Sequence, residues 1–249
     1  MMWDDLILFA AVGFAAQLVD GALGMAYGLT GTSVLLSLGY PPTVASASVH
    51  AAEVFTTGVS GFSHWRLGNI DWVFVRRLAI PGMLGGAAGA YVLTATPGEV
   101  IAPIVSLYLF LMGGWILWKA LRNNVRPRSD PPSWMPALGL GGGFLDAVGG
   151  GGWGPLVAST LLGRGNKPRY TIGSVNFVEF FVTSTISVTF LGTIGLELWP
   201  VIVGLILGGA LAAPLAAYVA KALPDQPLMI LVGVLIMLLS MRGLVQAFG

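Results

Sequence analysis

The chain has 249 residues, of which 55% are hydrophobic and only 9% charged, and its mean hydropathy is +0.83. That composition excludes an ordinary soluble domain and leaves an integral membrane protein. Twelve basic against 11 acidic residues give no field for nucleic acid, and the lack of cysteine removes disulfides, thiolate metal sites and cysteine nucleophiles.

Met1-Met2-Trp3-Asp4-Asp5 lacks the basic start of a cleavable signal, so the first hydrophobic segment is expected to stay in the membrane. That segment covers residues 6–38 and would make a helix of about 50 Å, too long for one span of a hydrocarbon core. Residues 20–28, Asp-Gly-Ala-Leu-Gly-Met-Ala-Tyr-Gly, put an acid and three glycines near its middle. Freed backbone is tolerated at that depth only where protein buries it or where it lines a watery cavity. Two short arms meeting in a V are expected there, followed by a turn at Gly39-Tyr40-Pro41-Pro42.

Further spans are predicted at residues 43–63, 72–94 and 99–121, with the polar stretch His64-Trp65-Arg66-Leu67-Gly68-Asn69 after the first of them. Residues 123–136 turn to Pro, Arg and Ser and read as a linker. The pattern then starts again. At an offset of 126, residues 20–57 and 146–183 share 13 identities in 38 positions, including Asp20 with Asp146, Gly28 with Gly154, Glu53 with Glu179 and Thr57 with Thr183. This is an internal repeat. Its second copy predicts a broken segment at 138–162 and spans at 169–191, 199–223 and 226–248.

The basic residues orient the copies. In the first half they follow the second and fourth segments, as Arg66, Arg76 and Arg77, then Lys119, Arg122, Arg126 and Arg128. In the second half they follow the first and third, as Arg164, Lys167 and Arg169, then Lys221, with Arg242 alone at the end. Corresponding loops therefore fall on opposite faces by the positive-inside rule. The expected architecture is an all-α integral membrane protein of two inverted-topology repeats, residues 1–122 and 137–249 joined by the linker 123–136. Each repeat is a broken helix pair plus three transmembrane helices, the pair re-entrant because its arms are short, with five spans per repeat as the alternative if both arms cross, and together the repeats form one membrane domain. Both termini are then placed outside the cytoplasm.

His50, Glu53 and Thr57 share one face of their helix, and their repeat partners are Asn176, Glu179 and Thr183. Each glutamate lies about 15 Å into its helix, close to the midplane. Asp20 and Asp146 reach a similar depth at the breaks. A charge at the bilayer centre costs about 2.5–3.5 kcal/mol on insertion scales, so four acids there point to proton coupling or to ordering of a site. Two other roles stay open: struts that bond exposed amides for the glutamates, and caps on the following arm for the aspartates. The glycines of the breaks let backbone approach a ligand, and half-helices starting there aim N–H groups at a cavity, an anion site without an arginine. Gly24, Gly28, Gly150, Gly151 and Gly152 are thus candidate substrate contacts, with Tyr27 and Trp153 as pocket walls and His50 and Asn176 beside them. His64, Trp65 and Arg66 read as interface anchors.

These motifs resemble those of the sulfite exporter TauE/SafE family, small bacterial membrane transporters. The resemblance is carried by Leu18-Val19-Asp20-Gly21-Ala22-Leu23-Gly24 with Gly28, by Tyr40-Pro41-Pro42 with Ala45 and Ser46, and by Gly68-Asn69-Ile70-Asp71-Trp72. In the second copy, Gly149 to Pro155 followed by Gly173-Ser174 carries it. It implies passage, by export across the inner membrane, of a sulfur-containing anion such as sulfite or an organosulfonate like sulfoacetate. The expected partners are that anion and the lipid bilayer, with the homodimer left open as an assembly. No cofactor or metal is expected. The reading is a secondary transporter working by alternating access; a passive anion channel and a transporter of another small anion are the alternatives. An enzyme is not expected, because neither a nucleophile elbow nor an HExxH pattern is present.

Overall fold

The computed structural model describes residues 2–23, 25–122, 133–164, 166, 168–195, 199–222 and 225–248. Among them the regular structure is helical: α1 (Met2–Leu23), α2 (Tyr27–Ser37), α3 (Pro42–Arg66), α4 (Trp72–Ala95), α5 (Gly98–Leu121), α6 (Met135–Gly149), α7 (Ser159–Gly163), α8 (Pro168–Ile194), α9 (Trp199–Ala222) and α10 (Asp225–Phe248). A π-helical turn, Trp153–Ala158, precedes α7 and continues into it. The helices fall within four residues of the expected spans, but the linker is shorter than expected. Trp134 caps α6 and Pro136 occupies its first turn, where a missing N–H costs nothing; residues 123–132 lie outside the described part.

Helices of 24 residues reach about 36 Å, enough to cross a hydrocarbon core. Among the described residues, Trp72–Ala95, Gly98–Leu121 and Arg169–Ile194 meet both the length and the apolarity that a span needs. Their outward faces carry large apolar side chains, among them Ile80, Leu84, Ile104, Leu111 and Val188, as expected where the surrounding solvent is lipid. The chain is a multi-pass membrane protein.

Helix partners are exchanged between the two halves of the chain. The pairs in most extensive contact are α1 with α9, α4 with α6, α5 with α10, and α3 with α8. Small residues make the approaches close. Gly139 of α6 abuts Leu78 of α4, and Gly13 of α1 abuts Leu205 of α9, positions equivalent by the offset of 126 and, past one residue inserted in the second copy, of 127. The order of such contacts gives relative direction. Gly58 faces Phe180 and Gly61 faces Phe177, so α3 and α8 are antiparallel. Gly82 meets Val182 and Gly86 meets Ile186, so α4 and α8 are parallel; Gly204 meets Phe9 and Gly208 meets Phe14, so α1 and α9 are parallel. Gly31 lies against Val49 across the short turn at 38–41, which sets α2 antiparallel to α3.

Gly85 packs without space against the Leu140 carbonyl, whereas a Cβ at Gly114 would meet nothing within 4 Å. Gly85→Ala is therefore expected to cost about 1–3 kcal/mol of stability through overpacking. Gly114→Ala should leave it unchanged or raise it slightly. Unfolding of the two variants in detergent checks this, and equal stabilities would contradict the packing account.

Candidate functional site

Each break is built around its aspartate. In the first, α1 ends at Leu23 and α2 begins at Tyr27, with Ala26 in the left-handed region at φ 102°. The Tyr27 N–H donates to Asp20 Oδ1 at 3.2 Å. In the second, the Trp153 N–H donates to Asp146 Oδ1 at 2.9 Å, the same bond at an offset of 126. An N–H freed where the helix stops is thereby satisfied away from water. Gly150 sits at φ +67° with its carbonyl accepting from the Thr32 hydroxyl at 2.5 Å, and Gly151 lies against Gly28 and Leu29. A side chain at either position would collide with α2, so the two breaks lock into one another. Gly24 lies outside the described residues.

A cavity of about 230 Å³ opens beside the first break. Its lining comes from α1 (Gln17, Asp20), the break and α2 (Met25, Tyr27), α3 (Glu53, Thr56, Thr57, Ser60, His64) and α8 (Ile172, Asn176, Glu179). Glu53, Glu179 and Asp20 mark the inner end. None of the lining residues is Lys or Arg. The Gly28 N–H faces the Glu53 carboxylate, while Glu53 Oε2 and Gln17 Oε1 are buried with no hydrogen-bond partner among the described residues. Two oxygens stripped of water thus stand in a polar cavity. Thr57 and Thr183 are repeat equivalents, and their hydroxyls approach to 3.5 Å. The Asn176 amide donates to Ser60 Oγ at 3.0 Å.

The equivalent positions in the second half are differently filled. Gln17, Thr56, Ser60 and His64 correspond to Gly143, Val182, Ile186 and Phe190, and Tyr27 corresponds to Trp153. Val182, Ile186, Phe190 and Trp153 are all fully buried. Trp153 donates its indole N–H to the Val175 carbonyl at 3.3 Å and its ring fills the space beside Gly82. His50, the counterpart of Asn176, is enclosed with Asp146: its Nε2 is 3.3 Å from Asp146 Oδ2 and its Nδ1 is 2.8 Å from the Ser46 carbonyl. Both ring nitrogens face acceptors, so the arrangement is complete only with a proton held between His50 and Asp146.

The structure thus brings Asp20, Tyr27, Glu53, Asn176 and Glu179 together at one cavity. It does not bring His50, Asp146, Gly150, Gly151, Gly152 or Trp153 there; these form the packed counterpart, with Tyr108 of α5 donating to the Gly151 carbonyl at 3.0 Å. Gly28 sits between the two, against Gly150 and Gly151 on one side and Glu53 on the other. Sequence reasoning missed Gln17, Met25, Thr56, Ser60, His64 and Ile172. The polar-to-apolar differences between the two copies were the signal that could have found four of them.

A chain without cysteine allows this asymmetry to be read chemically. Ser60→Cys should react with a water-soluble thiol reagent in the resting protein, and its counterpart Ile186→Cys should not, as mass spectrometry of the intact protein would record. Equal labelling would contradict a one-sided cavity.

Comparison with known proteins agrees with a membrane protein. A curated protein of Bacillus subtilis (strain 168), named "Probable membrane transporter protein YtnM", is 43% identical, with the match covering 97% of this chain and 83% of the relative. No solved structure matches the chain. The family description "Sulfite exporter TauE/SafE" matches residues 9–243. The chain belongs to the sulfite exporter TauE/SafE family of membrane transporters.

Proposed function

We propose that this transporter moves a small sulfur-containing anion, sulfite or an organosulfonate such as sulfoacetate, out of the bacterial cell across the inner membrane by proton-coupled alternating access. The observation that carries the reading is the cavity that ends between Glu53, Glu179 and Asp20 while its counterpart in the other half is filled. Substrate class and direction rest on the family description and on charge. The cavity reaches towards the end of α3 and the start of α8, the face with Arg66, Arg76, Arg77, Arg164 and Arg169. By the positive-inside rule that face is cytoplasmic, and its basic residues steer anions to the opening.

Residues 1–122 and 137–249 act in this reading as inverted repeats about a two-fold axis passing between Thr57 and Thr183. The exchanged helix partners and the antiparallel α3–α8 and α5–α10 pairs support it. In the latter pair the open side of Gly113 of α5 faces the carbonyl of Gly233 of α10, and that of Gly233 faces the carbonyl of Gly113. The broken segments are re-entrant: α1 runs with α9 and α2 runs against α3. Rocking of one half against the other would open the second side.

Protons enter through electrostatics. Two unit charges about 4 Å apart repel by about 4 kcal/mol at an effective dielectric of about 20, so ionised carboxylates would expel an oxyanion. A protonated carboxyl offers an O–H instead, and a charge-assisted bond to the anion becomes available. Occupancy by the anion and protonation of Glu53 and Glu179 are then linked, which is coupling. The Asp20 and Asp146 carboxylates hold the breaks in shape through Tyr27 and Trp153.

The same lining favours a second reading. Three carboxyls and no basic side chain suit a small cation as the cargo. Flux into proteoliposomes of sulfite, sulfoacetate, sulfate, a small organic cation and an uncharged solute, at two pH gradients, separates the two. The anion reading expects sulfite or sulfoacetate to move and to respond to the gradient; movement of the cation alone would replace it. Glu53→Gln should lower gradient-driven accumulation by about tenfold or more while the protein is recovered folded. Normal accumulation would return Glu53 to a purely structural role.

A further inference from the structure

Three residues at the mouth of the cavity, Arg169, Asn69 and His64, form a directed chain of hydrogen bonds. Arg169, at the start of α8, donates through Nε to Asn69 Oδ1 and through Nη2 to the Leu67 carbonyl at 3.1 Å. A guanidinium has donors only, so it fixes the orientation of the Asn69 amide: oxygen towards Arg169, NH₂ away. That NH₂ lies 3.2 Å from His64 Nδ1. Asn69 also donates its backbone N–H to the His64 carbonyl at 2.9 Å, which ties the loop to the end of α3. Since Nδ2 of Asn69 is a donor, His64 Nδ1 must be the acceptor, and a neutral ring then carries its proton on Nε2.

His64 lines the cavity, and no protein partner of its Nε2 is found among the described residues. Ser60, one turn deeper, already accepts from Asn176, which leaves its hydroxyl hydrogen to donate. The outer part of the cavity thus holds donors, whereas the inner part holds the carboxyls. In the other half the position of His64 is taken by Phe190, which has no donor at all.

We propose that His64 is the residue that selects an oxyanion at the cytoplasmic mouth of the cavity, through an Nε2–H held in place by Asn69 and Arg169. A neutral donor captures an anion without the tight grip of a buried cation, so the substrate can pass on to Glu53 and Glu179. Asn69 and Arg169 are positioning residues, since they act through the imidazole. The inference rests on the anion reading above and names the group that enforces it.

The test is sulfite flux in proteoliposomes of the full chain, with KM and kcat measured separately. His64→Phe, which installs the side chain of the equivalent position, should raise KM by about tenfold or more with kcat little changed, as expected for loss of a hydrogen bond to a charged ligand. His64→Gln keeps an N–H donor and should recover most of that loss. Asn69→Leu frees the ring to exchange tautomers and should raise KM in the same direction by a smaller factor. An unchanged KM in His64→Phe overturns the proposal. So does a fall in kcat shared equally by His64→Phe and His64→Gln, which would mark a structural histidine. If the wild-type protein moves no oxyanion, the anion reading fails and this proposal fails with it.

Discussion

A helix that stops inside an apolar bundle leaves amide groups that water cannot reach, and the two breaks of this protein are shaped by how those groups are satisfied. Asp20 takes the first N–H of the arm that follows it, at Tyr27, and Asp146 does the same at Trp153. The remaining exposed backbone of the second break is covered by the first, through Thr32 on the Gly150 carbonyl and Gly28 against Gly151, and by Tyr108 on the Gly151 carbonyl. Neither break could be stable alone in lipid. Because each is covered by the other, the two halves of the chain must lie with their breaks face to face, and α3 and α8 are carried into contact at Thr57 and Thr183.

That contact decides where charge can be placed. Glu53 and Glu179 each lie one turn before these threonines, so the carboxyls of both halves are gathered where the halves meet. What differs is the path from there to the surface. On one side Gln17, Thr56, Ser60 and His64 keep a cavity polar and open; on the other Val182, Ile186, Phe190 and Trp153 close it. A duplicated sequence with unequal lining gives the two sides different chemistry, a polar cavity on one and apolar packing near His50 and Asp146 on the other.

The architecture was legible because its causes are local. An acid with glycines in an apolar run, proline turns and an offset of 126, or 127 past one inserted residue, locate both breaks and the long helices to within four residues. The cap role of the aspartates was also open to reading, since an aspartate before a new helix start has a defined partner seven residues on. The cavity was less legible. Glycine density points to the second break as the ligand contact, yet four glycines in a row served close packing against α2 and Tyr108. Which break faces water depends on the volume of neighbours from other helices, and Trp153 filling the space that Tyr27 leaves open is a tertiary fact. His64 was hidden for a related reason. Its position beside an arginine at a helix end suits an interface anchor, and only the Asn69–Arg169 contact turns its ring into a defined donor.

The central claim is that the carboxyls gathered between the halves tie proton movement to substrate movement. Proteoliposomes carrying an entrapped pH indicator, given an outward gradient of sulfite and no imposed pH gradient, test it most directly. Sulfite efflux should carry protons outward with it, so that the lumen becomes alkaline, and Glu53→Gln should abolish the pH change. Sulfite efflux with no accompanying proton movement in the wild-type protein would contradict the account.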